Sequence, residues 1–146
     1  MLEITDTTTA EEGDLSARAA SLRSRAALHA GDRAAWLSLF ADDAIVQDPV
    51  GPSGFDPEGE GHRGPDRIAA FWDNVIAPNP SRMTIHDSFA GGNEVANVIT
   101  ISSTFPDGSR ADVPGVAIYK VDDEGKVLSL RAFWEMDQLT FVPAPG

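Results

Sequence analysis

A chain of 146 residues that is 42% hydrophobic is one domain of ordinary size, able to bury a core without covalent staples. It has no cysteine and three scattered histidines, His29, His62 and His86, so neither a metal nor any other cofactor is expected. A formal net charge of −12 without a basic cluster opposes nucleic acid and membrane surfaces as partners; the start Met-Leu-Glu-Ile-Thr-Asp lacks signal-peptide character, so a cytoplasmic protein is expected.

Residues 1–13 offer little to bury and read as a disordered tail, 141–146 as a second tail, and 14–140 as the single domain. Asp14 is a plausible N-cap for a first helix with Leu15, Ala19, Leu22 and Ala26 at helical spacing, ending near Ala30-Gly31. Ser24 lies between those apolar positions. Asp32 then caps a short second helix carrying Trp36, Leu37 and Phe40, aromatics that read first as core.

The chain next passes Asp42-Asp43 and becomes the short apolar strand Ala44-Ile45-Val46 before Asp48-Pro49. Pro49 keeps Asp48 extended, and strand alternation places Asp48 on the same face as Val46, opposite to Ile45. Two readings fit. Asp48 is a solvated Asp-Pro turn, or it is a carboxyl in an apolar setting whose pKa is raised towards general-base duty.

A Gly/Pro/acid-rich loop follows over 52–61, either a surface loop or a lid, with Phe55 its one residue suited to burial. Gly64-Pro65-Asp66 opens a third helix with Ile68, Phe71, Trp72 and Val75 on its apolar face. Four segments, 83–89, 95–104, 111–121 and 127–134, then read as strands joined by tight turns and therefore antiparallel. Helices first and strands afterwards predict an α+β fold, three N-terminal helices on a curved antiparallel sheet that encloses a pocket. Gly115, Ala117, Tyr119, Ala132 and Trp134 share one sheet face; Val116, Ile118 and Phe133 share the other, which suggests a homodimer through the sheet.

The segments Ala30-Gly-Asp, Leu39-Phe-Ala-Asp-Asp-Ala-Ile-Val-Gln-Asp-Pro-Val-Gly51, Gly64 to Asn74 and Gly125-Lys-Val-Leu-Ser-Leu-Arg-Ala-Phe-Trp134 resemble the steroid delta-isomerase (ketosteroid isomerase) branch of the NTF2-like, SnoaL-like superfamily. The resemblance runs from the first helix to Trp134. It implies a cone-shaped α+β fold with a hydrophobic pocket, commonly dimeric. It also implies that Asp48 takes a proton from the carbon next to a ketone and returns it two carbons on, turning a β,γ-unsaturated ketone into the conjugated one.

In ketosteroid isomerases this base works beside an oxyanion hole made of a tyrosine and a protonated aspartate. Aligned on Gly31-Asp32 and Gly125-Lys126, those two positions are Ser24 and Ala117, so the family's donors are absent; Phe40 and Trp72 stand where supporting hydroxyls would be. Tyr119, Trp134 and Ser24 are the candidate replacements, with Phe40, Phe71, Trp72, Ile99, Ile101 and Ala117 expected to line a steroid- or polyketide-sized cavity. Two alternatives stand beside the isomerase: a non-catalytic small-molecule-binding or dimeric scaffold protein, and a SnoaL-like polyketide cyclase using the same acid. An epoxide hydrolase of the limonene type fits less well, because Arg131 is followed by Ala132 rather than an acid. His62, His86, Glu135 and Asp137 read as solvated, and Arg110 with Asp112 as a surface pair.

Overall fold

The computed structural model describes residues 2–146. The first helix, α1 (Ala17–Ala30), is capped by Ser16, whose hydroxyl accepts from Ala19 N–H, and is ended by Gly31 in the left-handed conformation. Asp14, the cap expected from sequence, instead accepts from Ser16 N–H one step earlier. Leu15 is half-exposed and Ala26 exposed, while Ala17, Ala20, Ser24 and Ala27 are buried. Small side chains on that stripe let the helix lie close to the sheet, which turns Ser24 inward.

Asp32 caps α2 (Arg33–Leu37) as expected, by accepting from Ala35 N–H. The helix stops before Phe40, which opens the strand β1 (Phe40–Gln47). A two-residue strand, β2 (His62–Arg63), precedes α3 (Pro65–Phe71), and α3 widens into a π-helical turn over Trp72–Ile76. The long strands β3 (Ser81–Gly91), β4 (Glu94–Thr104), β5 (Arg110–Val121) and β6 (Val127–Phe133) follow, with β7 (Thr140–Val142) last.

All seven strands form one sheet in the order β2-β1-β6-β5-β4-β3, with β7 added to the far end of β5. The class is α+β as expected, but the sheet is mixed: β1 runs parallel to β6, and every other pair is antiparallel. The parallel pair arises because β1 is separated from β6 by α3 and intervening strands, so no hairpin joins them.

Register fixes the inner face. Tyr119 stands opposite Val95, Ala117 opposite Asn97, Gly115 opposite Ile99 and Val113 opposite Ile101. Met83 and Ile85 continue the last two rows on β3. The helices cover this face around Trp36, Ile68, Phe71 and Trp72, each buried and contributing about 1.5–3 kcal/mol through apolar burial. The segment read as a disordered N-terminal tail carries contacts in the structure. Ile4 and Ala10 pack on the core, and the buried Arg25 guanidinium donates to the carbonyls of Thr5 at 2.8 Å and Thr8 at 2.9 Å.

Candidate active site

Between the helices and the inner face of the sheet lies a cavity of about 340 Å³, inside the roughly 300–1,000 Å³ typical of small-molecule sites. Leu28 from α1, Trp36 from α2, Phe71 from α3 and Val75 and Ile76 from the π turn form the helical wall. Met83, Ile99, Ile101 and Leu130 form the sheet wall. Polar side chains reach it in two groups: Ser24, Asp48 and Tyr119 in one, and Asn79, Ser81 and Ser103 in the other. No lysine, arginine or histidine lines it among the described residues, a lining suited to a neutral, largely apolar molecule.

Asp48 sits one residue past the end of β1, where Val46 is fully buried and the following Asp48–Pro49 peptide is cis. The alternation read from sequence holds, with Val46 inward and Ile45 less buried. Trp134, just beyond β6, donates its indole N–H to Asp48 Oδ1 at 2.6 Å. Burial pushes the Asp48 carboxyl above the ordinary carboxylate range, opposed by the Trp134 hydrogen bond and by the charge of nearby His62. Desolvation wins because a carboxylate among apolar side chains loses more hydration than one hydrogen bond restores. The result is a single acid, oriented and made more basic, facing an apolar cavity.

Ser24 is the centre of the remainder of the Asp48 polar group. Its Oγ accepts from Trp36 Nε1 at 3.1 Å and from the Tyr119 hydroxyl at 2.9 Å, and all three residues are buried. Burial, with a smaller contribution from the Asp48 charge, pushes the Tyr119 hydroxyl up to about 12, so it stays protonated.

Of the residues expected to line the cavity, Phe71, Ile99 and Ile101 do so. Phe40, Trp72 and Ala117 do not. Phe40 packs edge-on against Trp36 with ring centroids 4.6 Å apart, and Trp72 lies 5.3 Å from Trp36 on a tilted contact, so Trp36 takes the cavity-facing place. Ala117 is buried in the sheet between Asn97 and Ala132. Trp134 lines the cavity, but its N–H is engaged by Asp48 and is not offered to a ligand.

His62 pairs with Val46 across β1 and β2 and is half-buried, its ring 4.8 Å from that of Phe71 at a tilt of 47°. His86 bonds Thr100 Oγ1 on an exposed face, and His29 Nε2 accepts from Met83 N–H. Arg110 and Asp112 form the expected surface pair at 2.8 Å. Phe55 reaches the cavity although half-exposed, and its loop is pinned by Asp56, which accepts from Gly61 N–H at 2.7 Å. Leu28, Met83, Phe105 and Met136 carry no distinguishing signal in the sequence, except that Met83 was legible in principle as the register partner of Ile101.

Residues 22–130 match the SnoaL-like domain family. The chain belongs to that family. Within this SnoaL-like, NTF2-like group it is similar to the Δ5-3-ketosteroid isomerase from Mycobacterium sp., at 42% identity over 86% of this chain and 98% of that one, with a TM-score of 0.79. It is also similar to RV0760c from Mycobacterium tuberculosis, at 34% identity over 90% and 99% of the two chains, TM-score 0.82. The structure of RV0760c in complex with estradiol-17beta-hemisuccinate matches at 35% identity over 86% and 98%, TM-score 0.80. The SnoaL-like domain here is therefore ketosteroid isomerase-like, and none of its helices among the described residues is long and apolar enough to cross a membrane.

Proposed function

We propose that this SnoaL-like protein binds a neutral apolar ketone of steroid or polyketide size and that Asp48 is the general base that moves a proton alpha to its carbonyl. One observation carries the reading: the carboxyl held by Trp134 is the only acid lining the apolar cavity among the described residues. A 42% identical ketosteroid isomerase and a steroid-complexed relative at 35% support the ligand class.

In the proposed step, the Asp48 carboxylate takes the proton from the carbon between ketone and alkene of a β,γ-unsaturated ketone. The C–H electrons form the dienolate, with the negative charge on oxygen. The same carboxyl then returns the proton to the γ-carbon, and the conjugated enone results with Asp48 again ionised. A raised pKa strengthens the base for the first half, and the carboxylic acid it forms is still acidic enough to give the proton back to the dienolate.

The test is an ultraviolet assay of the conjugated enone formed from a β,γ-unsaturated 3-ketosteroid, with Asp48→Asn as control. Turnover that drops about 10²–10⁴-fold in the variant, while the steroid still binds, supports the reading; turnover unaffected by the change refutes Asp48 as base.

A second reading, a ligand-binding protein without catalysis, is favoured by Ser24 and Ala117 at the positions of the family's oxyanion donors. Removing one such donor costs on the order of 3–4 kcal/mol of transition-state stabilisation. Saturable quenching of tryptophan fluorescence by the steroid with no enone formed would select it. A polyketide cyclase acting through Asp48 is the third reading, selected by turnover of a polyketide and not of the steroid.

A cytoplasmic homodimer completes the proposal. Phe89, Val98 and Phe133 are exposed on the outer face of the sheet, where Val98 neighbours Val116 and Val116 neighbours Phe133. The apolar row Val98-Val116-Phe133, with Phe89 nearby opposite Ala96 and the Arg131 guanidinium 5.3 Å from the Phe133 ring, fits a second copy of the chain, and sedimentation at micromolar concentration that gives only monomer would exclude it.

A further inference from the structure

A second polar group, Asn79, Ser81 and Ser103, lines the cavity away from Asp48 and has no part in the chemistry above. Along the inner face of the sheet Ile85 pairs with Ile99 and Met83 with Ile101, and the next row is Ser81 with Ser103. Both strands change from apolar to hydroxyl at the same register. Ala111, opposite Ser103 on β5, is small and leaves room beside them. The polarity is the reverse of a solvated rim: Phe105 and Met136, which also line the cavity, are 42% and 68% exposed, whereas the two serines are half-buried.

Asn79 is held on the π turn by two bonds, its backbone N–H donating to Ile76 O at 3.1 Å and its Nδ2 to Val75 O at 2.9 Å. A carbonyl accepts only from the nitrogen of the amide, which fixes Oδ1 as the free acceptor. The Ser81 and Ser103 hydroxyls have no partner among the described residues, so each can donate or accept.

We propose that Ser81, Ser103 and Asn79 form a subsite for a hydroxyl group at the end of the ligand remote from its ketone. The inference rests on the ketone-binding reading above and narrows its substrate class to a neutral hydroxyketone. A ligand hydroxyl accepts from a serine and donates to Asn79 Oδ1; a keto oxygen only accepts, and an alkyl end does neither. No lysine, arginine or histidine lines the cavity among the described residues, so a carboxylate or phosphate at this end would go unpaired. The spacing agrees. Ile99 faces Gly115, beside Trp134, and from Ile99 to Ser103 the strand rises about 13 Å. A rigid ligand with its ketone end at Asp48 therefore presents its other end to the serine row.

The test uses three conjugated 3-ketosteroids that differ only at the ring carbon farthest from the ketone, which bears a hydroxyl, a keto oxygen or hydrogen alone. Dissociation constants are read from quenching of tryptophan fluorescence, since Trp36 and Trp134 line the cavity. Ratios between probes in one protein cancel any general loss of folding. Wild type is expected to bind the hydroxyl probe about tenfold tighter than the unsubstituted one, with the keto probe between them. The double variant Ser81→Ala/Ser103→Ala is expected to lower that ratio about tenfold, and Asn79→Ala to erase the advantage of the hydroxyl over the keto oxygen. Equal affinities in wild type, or a ratio unchanged in the double variant, overturn the subsite and leave the ketone-binding reading standing. Failure of wild type to bind any of the three overturns that reading and the subsite with it.

Discussion

The indole N–H of Trp134 meets Asp48 Oδ1 at 2.6 Å across the end of the parallel pair β1 and β6. The bond fixes which way the carboxylate points and moderates the basicity that burial creates. Val50 N–H, donating to Ala132 O at 2.8 Å, fastens the same two chain segments on either side.

Replacing Trp134 with Phe keeps most of the bulk and removes the donor. Hydrogen bonds to charged groups contribute about 1.5–3 kcal/mol, so steroid turnover at neutral pH is expected to fall about ten- to hundredfold. The pH–rate profile should also change: with the stabilising donor gone, the acid limb moves to higher pH. An unmoved limb in Trp134→Phe would separate Trp134 from the base.

Burial of this carboxyl also bears on stability. The Asp48 pKa is raised in the folded protein, so folding opposes its ionisation, and the penalty is fully present above the folded pKa and absent below the unfolded one. Asp48→Asn keeps an oxygen to accept from Trp134 and carries no charge. Its melting temperature is therefore expected to exceed that of wild type at neutral pH, with the difference shrinking as pH falls through the raised pKa. Equal melting temperatures across that range would show that the carboxylate is well solvated.

Gly115 lies on β5 one residue before the Val116–Phe133 pair that ends its ladder with β6. A Cβ there would stand 2.5 Å from Phe133 O and 3.2 Å from Trp134 Cβ, and the nearer contact is backbone that cannot swing aside. Gly115→Ala is expected to destabilise the fold by about 1–3 kcal/mol, measured by urea denaturation, and to lower turnover by displacing the Trp134 side chain. A variant as stable as wild type would mean that the strand shifts freely at this point.

Phe55 is half-exposed yet reaches the cavity from a loop pinned by Asp56. Phe55→Ala removes an apolar contact with the ligand and leaves the pins intact. Stopped-flow fluorescence is expected to show steroid release faster by about tenfold, from loss of roughly 1–2 kcal/mol of apolar contact, with little change in association. Unchanged release would make the loop surface only.

Local patterns in the sequence carried the four long strands and the core of β1, the helix starts at Asp32 and Pro65, and the placement of Asp48 beside Val46, because each depends on neighbours a few residues away; β2 and β7, the latter running into the segment read as a C-terminal tail, were not read. Phe40, by contrast, shares helical spacing with Trp36 and yet begins β1. The i, i+4 pattern does not distinguish a helix that continues from one that stops and lets the next strand fold its aromatic back on the same ring. Alternation told which face Ala117 and Trp134 occupy and not how far along the cavity each lies. Ser24 and Tyr119 were legible as candidate polar residues, but not their bond to each other, because it is set by a contact between α1 and β5, elements with β1 to β4 between them in the chain.

That distance along the chain also says when the protein acquires its chemistry. The Trp134 bond joins positions 86 apart and the Tyr119 bond joins positions 95 apart. Loops of this length close late, after local hairpins have formed, because their closure entropy must be met before any contact rewards it. A folding chain is therefore expected to hold its hairpins before it holds this cavity, and binding of the proposed ligand would report that the seam between β1 and β6 has closed.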